Sequence, residues 1–272
     1  RLDRAVGTLA AGLPPEHARA GGPPELRQLA TGFNRMADAV STALEQQRRL
    51  VADTSHQLRN PLAALRLRID SLQPHLRASA GRTYTGVTAE LERMEHLLDD
   101  LLTLANAEHR AGELAVTKAR ASCCDATAVA AAQVRLWQPV AEQAGVRLEF
   151  APGPAVLMAC PEGELAQVAG ILFDNAIKYA GSGARVEARC VTEGADAVFE
   201  VEDDGPGLDS GELSRAGTRF WRSERHREVR GSGLGLAIAE RLVAGHAGHV
   251  AFTAAEPHGL RVRVVLPKGH AV

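Results

Sequence analysis

An apolar residue returns at every seventh position from Leu44 through Val51, Leu58 and Leu65 to Leu72, and Leu62, Ile69 and Leu76 follow that stripe at i+4. A seven-residue apolar return commits the segment to a long helix that buries one narrow seam in a bundle. His56 is the one histidine between Val51 and Leu62, two residues ahead of Leu58. At about 100° per residue it is turned away from the seam and offered to solvent. An exposed imidazole titrates near neutrality and carries a nucleophilic nitrogen, so it can take a proton, a metal or a phosphoryl group. Alone, such a histidine is an ordinary solvated side chain; its neighbours sharpen it. Asp53 and Asn60 share its face, and Pro61 stands inside the helical pattern, where it removes a backbone bond and loosens the helix beyond the histidine.

This helix is expected to run to about Arg77, past the irregular Pro74, and Ala78–Arg82 supplies turn residues. Val87, Leu91, Met94, Leu98, Leu101 and Ala105 then step by four and three, predicting a second helix folded back on the first. A two-helix hairpin leaves one apolar seam uncovered. Pairing two copies into a four-helix bundle covers it, so a homodimer is expected. Glu108–Ala121 loses periodicity and reads as a linker. Upstream, Leu26, Leu29, Phe33, Met36 and Val40 form another coiled-coil seam, out of register with the Leu44 stripe by four residues. Such a stutter locally unwinds a coiled coil and predicts a joint near Ser41.

From Ser122 the pattern changes. Helices are predicted over Ala126–Ala144, Pro161–Tyr179 and Gly233–Ala247, and strands over Arg147–Phe150, Ala155–Ala159, Val186–Val191, Ala197–Glu202, Val250–Thr253 and Leu260–Leu266. Helices and antiparallel strands in separate groups argue for an α+β two-layer sandwich.

Composition narrows the function classes. With 31 basic and 33 acidic residues the net charge is −2, which gives no drive toward nucleic acid or an anionic membrane surface. Cys123, Cys124, Cys160 and Cys190 form no CxxC pair and read as reduced thiols of a cytosolic protein. No apolar run approaches the ~18 residues that span a bilayer, so no direct membrane contact is expected. The chain opens in mid-helix by pattern, which suggests a fragment with a sensing part upstream.

Three stretches of the C-terminal half suit a nucleotide. Asp203-Asp-Gly-Pro-Gly207 follows a strand: Gly205 and Gly207 let backbone approach a ligand, and the carboxylate can accept from an exocyclic amine, although an ordinary turn can look the same. Gly231-Ser-Gly-Leu-Gly-Leu236, with Gly233, Leu234 and Gly235 at its centre, opens a helix whose free N–H groups suit phosphate oxygens. Its spacing differs from the dinucleotide fingerprint, and it lacks the Lys-Ser/Thr of a P-loop. Asp174-Asn-Ala-Ile-Lys-Tyr179 lies on a helix; Asn175 offers a neutral oxygen to Mg²⁺, Lys178 can reach a phosphate and Tyr179 can lie against a base. Lys178 is one of only three lysines, with Lys118 and Lys268.

Asp53-Thr-Ser-His-Gln-Leu-Arg-Asn-Pro-Leu62 resembles the H-box of two-component sensor histidine kinases, and the three stretches above resemble the N, G1 and G2 boxes of their ATP-binding domain, shared with gyrase, MutL and Hsp-type ATPases. Arg219-Phe-Trp-Arg222 resembles the F-box, Ser223–Arg230 a mobile ATP lid, and Pro24-Glu-Leu-Arg-Gln-Leu with Phe33-Asn-Arg-Met the second helix of a HAMP relay. The resemblance implies three segments: 1–40 a partial HAMP module, 41–112 the dimerisation and phosphotransfer hairpin, and 113–272 a Bergerat (GHKL) ATP-binding domain. It implies ATP and Mg²⁺ as cofactors, His56 as phosphoacceptor, Asn175 as Mg²⁺ ligand, Asp203 reading adenine, Lys178 and Tyr179 on the nucleotide, and the Gly233–Gly235 backbone at the phosphates. Asn60 matches the position that orients water when the phosphorylated regulator is dephosphorylated. The implied partners are a second copy of the chain and a response-regulator receiver domain. The implied location is cytoplasmic for this part and the bacterial inner membrane for the full-length protein.

Two positions depart from the family pattern. Gln57 stands where an acidic residue usually follows the histidine; an amide can fix the imidazole tautomer but cannot act as a base near neutral pH. Either the neutral imidazole lone pair suffices, which is preferred, or Asp53 substitutes. Ile171 stands four residues before Asn175, where a second asparagine is common, and predicts weaker ATP binding. Those departures leave room for a poorly active scaffold or phosphatase, and a stand-alone gyrase-type ATPase is a further alternative.

Overall fold

A computed structural model describes residues 23–75, 80–116, 122–226, 229 and 231–269. The expected first HAMP residues, 1–22, lie outside the described residues, as do the side chains of His56 and Gln57 and part of the expected lid. The chain divides into two units, between Lys118 and Ala119.

The first unit is a helical hairpin. Helix α1, Pro24–Leu72, runs unbroken through the joint expected near Ser41 and through Pro61. It ends five residues before the expected Arg77. Pro74 has no N–H to return to the preceding turn, so the chain tightens instead: the Gln73 amide bonds back to Asp70 and a 3₁₀ turn covers Gln73–His75. Helix α2, Gly81–Val116, extends well into the expected linker. Glu108–Val116 has no apolar stripe, but its Ala, Glu, Leu and Arg favour helix without one.

Polar pairs set the register of the hairpin. Tyr84 Oη donates to Asp70 Oδ1 at 3.1 Å near the turn, and Arg66 bridges Glu95 at 2.9 Å and Glu92 at 3.2 Å farther along. Leu62 and Ile69 are half-buried and Leu91 and Leu104 are buried in the single chain. The heptad stripe itself is not covered: Leu58, Leu65 and Leu72 are 45–55% exposed, and Met94 on α2 is 45% exposed.

The second unit opens with β1, Cys124–Asp125, which pairs antiparallel with β3, Leu157–Met158. Helix α3, Ala126–Ala144, has the expected bounds: the Asp125 carboxylate accepts from the Thr127 and Ala128 amides, and Gly145 closes it at φ 72°. Strand β2, Arg147–Phe150, follows, and after β3 comes α4, Glu162–Ala180, with Pro161 as N-cap. Strands β4 (Arg185–Glu193) and β5 (Asp196–Asp203), the short helix α5 (Ser210–Leu213), helix α6 (Gly235–Ala244) and strands β6 (His249–Ala254) and β7 (Leu260–Pro267) complete the unit. Helix α6 is shorter than the expected Gly233–Ala247 because Gly233 (φ 72°) and Ala247 (φ 58°) are left-handed and stand outside it.

The five-stranded sheet has the order β2-β4-β5-β7-β6, with β2 parallel to β4 and every other pair antiparallel. Its inner face packs on the helices: Phe173 of α4 meets Phe199 of β5 edge to face at 6.2 Å, above buried Val186, Val262, Val264 and Leu266. The outer face carries ion pairs rather than a second helical layer; buried Glu200 is met by Arg189, Arg261 and Arg263. The result is the expected two-layer α+β sandwich.

Candidate functional site

The C-terminal half of α4 is where the three expected stretches of the second unit meet. The Asp203–Gly207 turn comes from the end of β5. A Cβ on Gly205 would stand 2.5 Å from the Ala180 Cα, so this turn lies against the last residue of α4 and only glycine fits. Gly207, at φ 63°, is equally committed, because a side chain there would meet the Gly259 carbonyl at 2.5 Å.

Asp203 is 8% exposed. Its Oδ1 accepts from the Gly205 amide at 3.0 Å and from the Leu260 amide at 3.3 Å. Burial raises its pKa above the ordinary carboxylate range, and the two amides oppose that rise. Both of these bonds fall on Oδ1, so Oδ2 is the oxygen left to accept from a ligand.

Neighbouring groups that the sequence reading did not single out brace this corner. His258 Nδ1 lies 3.1 Å from the Gly205 carbonyl, and Gly259, at φ 118°, presses against the Asp203 carbonyl, where any Cβ would collide. Pro257-His-Gly259 between two predicted strands was the available signal, since a glycine there marks a turn that needs positive φ. Asp204 accepts from the Arg185 amide at 2.7 Å and ties the turn to β4.

The glycine-rich stretch reaches α4 from the other side. The β position of Gly231 lies 3.0 Å from Tyr179 Oη, and that of Gly235 lies 3.3 Å from Ile171 Cγ2. Helix α6 begins at Gly235 with no side-chain cap, so its first amides are free to meet an anion. Leu234 is fully buried and can face a ligand only through its backbone. Gly233 interlocks with the Arg219–Arg222 stretch: its carbonyl accepts from the Phe220 amide at 2.9 Å, and its β position lies 2.8 Å from the Trp221 carbonyl oxygen. Phe220 itself has φ 60°, rare for a side chain of that size, and is 60% exposed.

Asn175 is half-buried on α4, one turn from Ile171. Lys178 is engaged with Asp174 at 2.6 Å, so it reaches a phosphate only by exchanging that partner. The Tyr179 ring packs edge-on against His226 at a centroid distance of 5.2 Å. The described part of the expected lid is therefore anchored: Glu224–His226 form a 3₁₀ turn, Ser223 Oγ donates to Glu212 at 2.6 Å, and Arg222 donates to the His226 carbonyl at 3.0 Å and to that of Val229.

Farther back, His246 just past α6 and Glu164 in the first turn of α4 are 2.7 Å apart and largely buried. This pair and the Ile171–Gly235 contact fix the two helices antiparallel, so the α6 N-terminus is held beside Asn175.

The hairpin carries the other half of the expected chemistry. His56 and Gln57 stand in the helical backbone of α1, and Asn60 one turn on is exposed. Among the described residues, no group of three or more His, Cys, Asp or Glu side chains could hold a metal ion. Asn175 could offer its side-chain oxygen to a Mg²⁺ whose other ligands would be phosphate oxygens and water.

Two family models match the chain: the His Kinase A (phospho-acceptor) domain over residues 46–110, and the histidine kinase-, DNA gyrase B-, and HSP90-like ATPase over residues 161–270. Among relatives, the signal transduction histidine-protein kinase BaeS of Escherichia coli (strain K12) is 30% identical over 89% of this chain and 51% of its own length. The sensor protein kinase PmrB of Pseudomonas aeruginosa is 32% identical over 90% and 51%, and the histidine-protein kinase/phosphatase MprB of Mycolicibacterium vanbaalenii 32% identical over 89% and 51%. The chain thus spans about half the length of the curated relatives it matches. The crystal structure of full-length ShkA in complex with AMPPNP covers 82% of this chain and 46% of its own, with 25% identity and a TM-score of 0.63.

Proposed function

The chain belongs to the sensor histidine kinases of two-component systems, and from that premise we propose that it is an ATP-dependent autokinase that phosphorylates His56 and passes the phosphoryl group to an aspartate of a receiver domain. The observation that carries this reading is the convergence on one stretch of α4 of a buried strand-end carboxylate, Asp203, an uncapped helix N-terminus at Gly235, and Asn175. That set suits an adenine, a polyphosphate and a cation held in line.

Each residue then has a task. Asp203 Oδ2 accepts from the adenine amine while the Gly205 and Leu260 amides hold Oδ1. The Gly233–Gly235 backbone takes phosphate oxygens, Tyr179 and Lys178 face the nucleotide, and Asn175 is the protein ligand of Mg²⁺. Bound Mg²⁺ neutralises charge on the phosphates. A His56 ring nitrogen attacks the terminal phosphorus, the bond to the ADP oxygen breaks, and the ring N–H proton leaves to solvent. Gln57 orients the ring without taking that proton. Asn60 positions water when the regulator is dephosphorylated, so the same chain also serves as a phosphatase.

The exposed seam of Leu58, Leu65 and Leu72 favours a second copy of the chain as the partner of the hairpin. Residues 1–40 fit the end of a HAMP relay, 41–112 the phosphotransfer hairpin, and 113–272 the ATP-binding domain. Among the described residues no helix is long and apolar enough to cross a membrane. A location at the bacterial inner membrane for a longer protein rests on the relatives' description as sensors.

The test is transfer of label from γ-labelled ATP to the chain and then, on mixing, to a purified receiver domain encoded beside it. Label on both supports the reading; ATP turnover with no labelled protein supports a stand-alone ATPase, and no binding or label supports a scaffold.

A further inference from the structure

Cys124 and Cys160 lie far apart in sequence, yet their sulfurs are 3.9 Å apart inside the second unit. The short β1–β3 ladder brings them together: Cys124 is in register with Met158, and Cys160 stands two residues beyond it, in the bend that leaves β3. Cys160 is 2% exposed and Cys124 8%, at the edge where the unit's chain begins. The other two cysteines differ. Cys123 is exposed, and Cys190 is buried at 5% in the middle of β4, with its thiol pushed up to about 12 chiefly by burial.

We propose that Cys124 and Cys160 are a redox-active dithiol, which hydrogen peroxide converts to a disulfide bracing the first strand of this unit against the N-terminal end of α4. The Cys124 thiolate attacks a peroxide oxygen, giving a sulfenic acid and hydroxide, and Cys160 then attacks that sulfur and water leaves. Two thiols and one peroxide become one disulfide and two waters. The sulfurs approach from 3.9 Å to the ~2 Å of the covalent bond. The order follows from their setting. Either sulfur can donate in the bond between them, but Cys124 is the less buried of the two and is the one peroxide reaches first; a bond received from Cys160 favours the Cys124 thiolate, while that bond and burial hold Cys160 up as a thiol. No metal explains the pair, since no cluster of three or more ligating side chains is present among the described residues.

The bond would close a loop containing α3, β2 and β3, limiting the unfolded chain and holding β1 to the helix that bears Asn175. This chemistry is independent of nucleotide binding and is read without it. Cys123→Ser chain is treated with hydrogen peroxide, blocked with N-ethylmaleimide after unfolding, and digested without reductant. The expected product joins the Cys124 and Cys160 peptides, with Cys190 still alkylated, and raises the thermal midpoint by ~4 °C until dithiothreitol is added. Cys124→Ser, at the more accessible position, should remove both the linked peptide and the shift. Full alkylation of Cys124 and Cys160 after peroxide, or linkage of either to Cys190 or to another chain, would overturn the assignment.

Discussion

Ile171 Cγ2 lies 3.3 Å from the β position of Gly235, so an apolar side chain of α4 abuts the first residue of α6. In the histidine-kinase pattern this α4 position commonly carries a second asparagine. Ile171→Asn should therefore tighten the Mg²⁺ complex of a non-hydrolysable ATP analogue by up to about tenfold, ~1.4 kcal/mol. Calorimetric titration with and without Mg²⁺ checks this; a gain that does not depend on Mg²⁺ would locate the effect in packing.

Asp203→Asn leaves a carbonyl for the Gly205 and Leu260 amides but turns an NH₂ toward the ligand. Losing a charged acceptor of ~1.5–3 kcal/mol should weaken nucleotide binding by about 10- to 100-fold, with little change in fold by circular dichroism.

The same carboxylate gives a pH signature. Burial raises its folded-state pKa, so on acidification the folded unit takes this proton before the unfolded chain does. Sensitivity of nucleotide affinity to pH should then begin above the ~4 of an ordinary carboxylate, binding weakening as the pH falls. The stability contribution has the opposite sign: the cost of burying the charge is present above the folded pKa and is relieved as the pH falls through it. Titrations of affinity and of thermal midpoint between pH 8 and 4 check both slopes, and Asp203→Asn should flatten them.

Gly205→Ala puts a methyl 2.5 Å from the Ala180 Cα, a backbone atom that cannot step aside. The expected cost is ~1–3 kcal/mol together with weakened nucleotide binding. Gly163→Ala, also in this unit but helical and with open space around the added carbon, should leave binding unchanged and hold or slightly raise the thermal midpoint. Thermal melts of the two variants make the comparison.

Much of this architecture was legible in local chemistry. The helix expected over Ala126–Ala144 has those bounds, and the strands expected over Val186–Val191 and Ala197–Glu202 fall inside the antiparallel β4–β5 pair. What stayed hidden depends on distant partners. The β1–β3 ladder has two residues per strand, too short for any periodicity, and it alone brings Cys124 to Cys160. The parallel pairing of β2 with β4 is decided by packing across the sheet, and the end of α2 at Val116 by helix propensity without an apolar stripe. At the site, the glycines of the Asp203 turn announced a close approach, but that Ala180 and Gly259 fill the space came only with the fold.

The uncovered stripe on α1 predicts oligomeric state. Leu65→Glu, at a position 45% exposed in the single chain, should dissociate a dimer to monomers in sedimentation experiments. Leu67→Glu, 71% exposed and off the stripe, should leave it intact. Equal effects of the two would remove the stripe from the interface.

Where the phosphoryl group lands decides whether this chain is a histidine autokinase. The chain is incubated with Mg²⁺ and ATP, quenched in alkali and mapped by mass spectrometry. A phosphorylated peptide is predicted to carry its phosphate on His56, to lose it in acid, to be absent from the His56→Ala chain, and to form in the Asp203→Asn chain only at raised ATP. Phosphate on any other residue, or an acid-labile phosphopeptide that persists in His56→Ala, would contradict it.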